Sequence, residues 1–186
     1  SIAVVSTGDE LIAVSETPKP YQSRRSNDIS IITALSRAGY PTKKSIHLLD
    51  DLNSTSAILA EITKDHDIVI ISGGISKGKK DYIPRVLDKK GLDCGFHGVA
   101  QKPGKPFGFW SNQSCLVFAL PGNPISTLSC LHQYVLPALD LASGFRHRRR
   151  HKVTISEPIK GNPFLTSFLA VTVQTENIAT PILSNN

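Results

Sequence analysis

Three short apolar runs rich in β-branched residues punctuate the first half of the chain. They are SIAVVS (Ser1–Ser6), KKSIHLL (Lys43–Leu49) and DIVIIS (Asp67–Ser72). Each is short enough for a strand, and each ends in a polar or glycine-containing turn, TGDE, DD and SGG respectively, so each reads as a buried strand. Between them lie two stretches with helical spacing. SNDISIITALSRAGY (Ser26–Tyr40) predicts a helix with Asn27 or Asp28 as cap, Ile29, Ile32 and Leu35 on one face, and Gly39 at its end. NSTSAILAEITKDH (Asn53–His66) predicts a second, capped by Asn53 or Ser54, with Ile58, Leu59 and Ile62 turned inward. Tyr82 to Lys90 predicts a third, with Pro84 in its first turn and Gly91 just past its end.

Alternation of strand and helix over this length is the signature of a mostly parallel sheet flanked by helices, a three-layer α/β domain. Beyond it, DCGFHGVAQKPGKPFGFW and CLVFAL read as extended pieces joined through SNQS in a hairpin. PGNPISTLSCLHQYVLPALDLASG then reads as one long helix, begun at Pro124, kinked by Pro137 and closed by Gly144. After residue 145 the texture changes to short alternating stretches, HKVTISEPI, SFLAVTVQT and IATPIL. Those forty or so residues are too few to bury a core alone. The division predicted is an α/β domain over 1–145 and a partial β-rich domain over 146–186.

Composition is that of a globular protein, and no apolar run reaches the roughly 20 residues that span a bilayer. The chain opens on Ser1 with no visible signal peptide, so an upstream piece is expected. Cys94, Cys115 and Cys130 are odd in number and unpaired in spacing, which points to a reducing, cytoplasmic setting. The net charge of +6 suggests nucleic acid until it is located: the run RHRRRHK (Arg146–Lys152) carries five of those charges. One basic run reads as a solvated linker, and no nucleic-acid-binding pattern accompanies it.

In a parallel sheet, ligands bind beyond the carboxyl ends of the strands, where TGDE, DD, SGGISKGKKDY, KPGKP and PGNPIS collect the polar, glycine and proline residues. Glycines bring main-chain N–H groups close to an oxyanion. SGGISKGKKDY (Ser72–Tyr82) matches neither an ATP P-loop nor a dinucleotide fingerprint. Glu10, Asp50 and Asp81 each close one of these loops and can hold Mg²⁺, while helix capping by Asp50 or Asp51 and by Asp81 explains the same positions. Lys102 and Lys105 bracket a stiff loop and can face an anion or only water. Asn123 can cap the helix it precedes, and Ser126 can donate to a ligand. The six histidines show no ligand spacing and read as surface or packing residues. Trp110 reads as core.

Taken together, STGDEL (Ser6–Leu11), SND (Ser26–Asp28), SGGISKGKKDY, KPGKPFGF (Lys102–Phe109) and LPGNPIS (Leu120–Ser126) resemble, in order and spacing, the MoeA/gephyrin E-domain family of molybdopterin molybdenumtransferases. The resemblance covers Ser1 to Gly144, and the tail resembles the start of that family's C-terminal β domain. It implies a MogA-like molybdopterin-binding fold that accepts adenylylated molybdopterin and molybdate. Molybdenum is inserted into the pterin dithiolene with release of AMP and with Mg²⁺ assisting, in a homodimer whose upstream domains complete the cleft. On this resemblance Glu10, Asp50 and Asp81 are metal and catalytic positions. Ser6, Thr7, Gly8, Asn27, Ser72, Gly73, Gly74, Ser76 and Gly78 form a pterin-phosphate cradle. Lys102, Lys105, Pro121, Gly122, Asn123, Pro124 and Ser126 complete the pocket. Arg25 departs from the pattern, standing where the family usually has aspartate. The alternatives are a MogA-like molybdopterin adenylyltransferase and a non-catalytic pterin-binding or scaffold module.

Overall fold

The computed structural model describes residues 1–42, 44–76, 78, 81–145, 151–174 and 177–182, with Lys44 described by its main chain alone. Lys77, Lys79 and Lys80 of the glycine loop and Arg146–Arg150 of the basic run lie outside them. In chain order the elements are β1 (Ile2–Thr7), β2 (Leu11–Ile12), β3 (Ser23–Arg24), α1 (Asn27–Arg37), β4 (Lys44–Leu48), α2 (Leu52–Asp65), β5 (Ile68–Ser72) and α3 (Ile83–Lys89). They continue with β6 (Asp93–His97), β7 (Gln101–Lys102), β8 (Gly108–Ser111), β9 (Leu116–Leu120), α4 (Pro124–Cys130), a π-helical turn (Leu131–Val135) and α5 (Leu136–Ala142). The tail contributes β10 (Thr154–Ile155), β11 (Thr166–Ser167), β12 (Val171–Val173) and β13 (Ile178–Pro181).

One six-stranded sheet in the order β4-β1-β5-β9-β8-β6 forms the centre. β4, β1, β5 and β9 run parallel; β8 pairs antiparallel with β9 across Ser111–Ser114, the hairpin the sequence predicts, and β6 pairs antiparallel with β8 at the edge. The period-2 alternation of the strands divides the apolar residues between two layers. Ala3, Val5, Val69, Ile71 and Val117 face a cluster with Leu59 and Ile62 of α2 and Val86 and Leu87 of α3. Val4, Ile70, Phe118 and Leu120 face the opposite cluster with Ile31 and Leu35 of α1 and Leu131, Val135 and Leu136 of the last helical stretch. A parallel sheet covered on both sides needs such near-continuous apolar strands.

Three local expectations are corrected. In α1 the residues that point inward are Asp28, Ile31 and Leu35, whereas Ile29 is exposed; Ser26 holds the N-cap position, not Asn27 or Asp28. The inward Asp28 is satisfied by the Ser45 hydroxyl of β4, which donates to its Oδ2 at 2.8 Å. α2 is capped not by Asn53 or Ser54 but by Asp51, one of the two aspartates the sequence offers for that role; its carboxylate accepts from Ser54 N at 2.7 Å. The long final helix does not simply kink at Pro137. It passes through a π turn, Leu136 N donating to Leu131 O, just before the residue that has no N–H to offer.

The tail strands form a small three-stranded sheet, β10-β13-β12. Ala179 is its single fully buried residue among those described. β11 instead pairs in parallel with β7, and Phe168 N donates to Lys102 O at 2.9 Å, so the tail is stitched to the main domain beside the Lys102–Pro106 loop.

Candidate functional site

β1 crosses to the edge strand β4 on one side, while β5 continues the sheet on the other. The chain therefore parts at β1 and β5, and their carboxyl ends open a crevice at the switch point. That crevice is a cleft of about 710 Å³. Its floor is a row of aligned strand-end residues: Ser6 of β1 lies in register with His47 of β4 on one side and Ser72 of β5 on the other. Ser6 and Ser72 are each 2 % exposed. Asn27, the first residue of α1, closes the row from above: its Nδ2 donates to Ser72 Oγ at 2.9 Å and to the Gly122 carbonyl at 2.8 Å. One side chain thus ties the loops after β5 and β9 together.

Main-chain contacts set the walls. Gly73 N donates to Leu120 O at 3.0 Å, and a Cβ on Gly122 would stand 3.6 Å from the Gly73 Cα. Gly73 has φ +97°, and a Cβ there would lie 2.8 Å from Thr7 Oγ1 and 2.9 Å from Thr7 O. Only glycine fits at that approach. Thr7 Oγ1, buried between these loops and lining the cleft, has no hydrogen-bond partner among the described residues. A buried polar atom left in this way carries a desolvation cost. At the entry to α4, Asn123 Oδ1 accepts from Ile125 N at 3.1 Å and Ser126 N at 3.2 Å, the cap the sequence predicts.

Glu10, Asp50 and Asp81 all line the cleft. Asp81 does not cap α3; its Oδ2 accepts from Gly78 N at 2.6 Å and closes the glycine loop on itself. Asp50 N donates to Asp9 Oδ1 at 2.9 Å, which joins the loops after β1 and β4. Among the described residues no three His, Cys, Asp or Glu side chains form a group that could hold a metal, so the three acids make no ready-built cage.

Of the positions singled out from sequence, Ser6, Thr7, Gly8, Asn27, Ser72, Gly73, Gly74, Ser76, Pro121, Gly122, Asn123, Pro124 and Ser126 line this one cleft, with the three acids. Gly78 stands behind it, holding Asp81. Lys102 and Lys105 do not line it, although Pro106 of the same loop does. That loop is held from behind. Gln101, 2 % exposed, donates from Nε2 to Pro103 O at 2.9 Å and accepts from the Tyr134 hydroxyl of the π turn.

Arg25, marked in the sequence as a departure that puts a positive charge at the rim, lines the cleft next to Asn27 together with Arg24, where Lys102 and Lys105 do not. One residue was read otherwise. His47, read from sequence as a surface or packing residue, places Nδ1 3.3 Å from Ser6 Oγ. Burial and then the Arg25 guanidinium hold its pKa below the ordinary 6.5, against the opposing pull of the Ser6 main chain, Asp28 and Glu10. No spacing rule finds it, because its partner lies 41 positions away across two strands.

Comparison with known proteins bears on this geometry directly. Residues 3–141 match the family described as "Probable molybdopterin binding domain". Over 137 residues the chain is 43 % identical to a molybdopterin molybdenumtransferase of Synechocystis, covering 73 % of this chain and 35 % of that protein. It is 35 % identical over 146 residues to the molybdenum cofactor synthesis protein cinnamon of Drosophila melanogaster, covering 77 % of this chain and 24 % of that one. The chain thus spans about a third or less of the length of these relatives. The crystal structure of a molybdopterin biosynthesis MoeA protein from Pyrococcus horikosii superposes with a TM-score of 0.80 at 29 % identity, covering 98 % of this chain, tail included, and 45 % of that one. With its strand-end cleft and this match over three quarters of its length, the chain belongs to the molybdopterin-binding domain family.

Proposed function

We propose that this chain is the pterin- and molybdate-handling part of a molybdopterin molybdenumtransferase: it binds adenylylated molybdopterin, accepts molybdate, and supports insertion of molybdenum with release of AMP. The observation that carries the reading is the gathering of sixteen predicted site positions from separate loops into one cleft, in a chain with 43 % identity to an enzyme of that name. Both substrates are oxyanions. Main-chain N–H groups of the loop beyond Gly73, the hydroxyls of Ser6, Thr7, Ser76 and Ser126, and the Arg25 guanidinium are the donors such groups require. The unpartnered Thr7 Oγ1 is a specific place for one substrate oxygen.

The separate acids fit magnesium better than they fit a metal caged by protein alone. Mg²⁺ keeps several waters and takes one or two carboxylates plus substrate phosphate oxygens, so Asp81 with Glu10 or Asp50 would hold it. There it would stabilise charge developing on the departing phosphate. The residues of this chain bind and orient the anhydride and exclude water, and no side-chain nucleophile is needed because the thiolates of the substrate receive the metal. The tail is then the start of a C-terminal β domain, and the full protein is a cytoplasmic homodimer whose other domains complete the cleft. Free, buried Cys115 and Cys130, each with its thiol pushed up to about 11 by burial, are consistent with a reducing setting.

Calorimetry of the chain with AMP and with molybdate, each with Mg²⁺ present, tests the binding half; heat with neither sinks the reading. In the full-length protein, Asp81→Ala should abolish molybdenum insertion while leaving the fold intact. Formation of a pterin adenylate from ATP by the full-length protein would instead favour the adenylyltransferase.

A further inference from the structure

The floor row His47–Ser6–Ser72 poses a question about protons. Ser72 Oγ already accepts from Asn27, whereas the side-chain partner of Ser6 Oγ among the described residues is His47 Nδ1. A serine hydroxyl carries one proton. If it donates to His47, it presents only lone pairs to the cleft and repels an oxyanion there. If His47 donates to it, the hydroxyl proton is free for the ligand.

The far side of the ring decides between these. His47 Nε2 is buried and has no partner among the described residues. A proton on Nε2 would be a buried donor without an acceptor, whereas a lone pair there is the lesser loss; orphaned buried N–H groups are the rarer of the two in proteins. The ring is kept neutral by its burial and by Arg25, with Asp28 of α1 and Glu10 after β1 the opposing charges around it. A neutral ring without a proton on Nε2 has one on Nδ1.

We propose that His47 is a positioning residue of the cleft: its Nδ1–H donates to Ser6 Oγ, and so directs the Ser6 hydroxyl proton at an oxyanion bound over the end of β1. This deepens the reading of the cleft as an oxyanion site and rests on it for the identity of the ligand. Ser6 touches the guest, and His47 acts through Ser6.

The test has two arms on the whole chain. Two-bond proton–nitrogen correlation of the histidine rings, with the His47 signal assigned by its loss in His47→Asn, reads the tautomer without any ligand. The expected form above the ring's titration range is Nδ1–H, and an Nε2–H ring overturns the proposal. Calorimetry with AMP is the second arm. Ser6→Ala and His47→Leu should each weaken AMP by about tenfold, the double variant by no more than either alone, and His47→Asn, which keeps an N–H near the Nδ1 position, should recover most of the loss. Additive losses, or no rescue by asparagine in a chain whose circular dichroism is unchanged, would also overturn it. If the unaltered chain binds neither AMP nor molybdate, the function proposed above fails and the ligand half of this inference fails with it. The tautomer alone judges the His47–Ser6 bond.

Discussion

The cleft has two walls built on different principles. The loops after β1, β5 and β9 are locked face to face by contacts among themselves: Gly73 against Thr7, Gly73 N on Leu120 O, and Asn27 bridging Ser72 to Gly122. The Lys102–Pro106 loop is locked from outside the cleft, by Gln101 with Tyr134 of the π turn and by the pairing of β7 with tail strand β11. The first wall lines the cleft with Ser6 and Thr7, and its own bonds leave Thr7 Oγ1 without a partner among the described residues. The second offers Pro106 and holds its lysines elsewhere. Proximity in a motif list therefore does not amount to proximity in a site; what separates the walls is where each loop finds its anchoring partners.

The largest effect is expected where the first wall admits no side chain. Gly73→Val places a branched group on a backbone at φ +97°, against Thr7, and should lower unfolding free energy by roughly 3 kcal/mol or more and abolish AMP binding. Urea denaturation and calorimetry measure the two; near-wild-type binding would show that the loops are not mutually locked. On the second wall, Gln101→Leu strands the Tyr134 hydroxyl and the Pro103 carbonyl, for a loss of about 1–3 kcal/mol. Because that wall gives the guest little, AMP affinity in the folded variant should change by less than about twofold. A loss of affinity on the scale seen for Gly73→Val would erase the distinction.

Charge sharpens it further. Arg25→Ala should weaken AMP by about tenfold and flatten its salt dependence, since it removes one of the two arginines, Arg24 and Arg25, that line the cleft. Lys102→Ala should move affinity less than about twofold in this chain. The reverse order would mean that the loop turns its lysines inward when the ligand arrives.

How much of this could be read from residues alone follows the same divide. Parallel strands must send their loops to one end of the sheet, so the meeting of TGDE, DD and SGG was implied by the alternation of SIAVVS, KKSIHLL and DIVIIS with helical stretches. The hairpin reading of CLVFAL did not fix its direction, and its parallel pairing with β5 brings PGNP to the same end. The inward face of α1 was misjudged at Ile29 because helical spacing alone does not fix its phase; Asp28 points in, which polarity argues against until Ser45 is seen beneath it. The direction of Lys102 depends on β11, some 65 residues later and paired through two residues only, a contact with no periodicity to announce it. His47 joined the floor through strand register, which is a property of the sheet and not of any one segment.

The smallest effect concerns that histidine and is a matter of sign. Its folded pKa lies below the unfolded value of 6.5, so between the two the unfolded chain binds more protons than the folded one. Stability attached to the neutral ring is therefore fully present above 6.5 and declines as pH falls through 6.5 toward the folded value. Since the ring is only part-buried and solvent screens it, the excess drop in Tm of the unaltered chain over His47→Asn across that window should be no more than about 2 °C. Thermal melts at stepped pH give the difference directly. Equal slopes would mean that His47 titrates in the folded protein as it does in the unfolded one. Its burial and Arg25 would then not keep the ring neutral, and that half of the argument for its proton on Nδ1 would be lost.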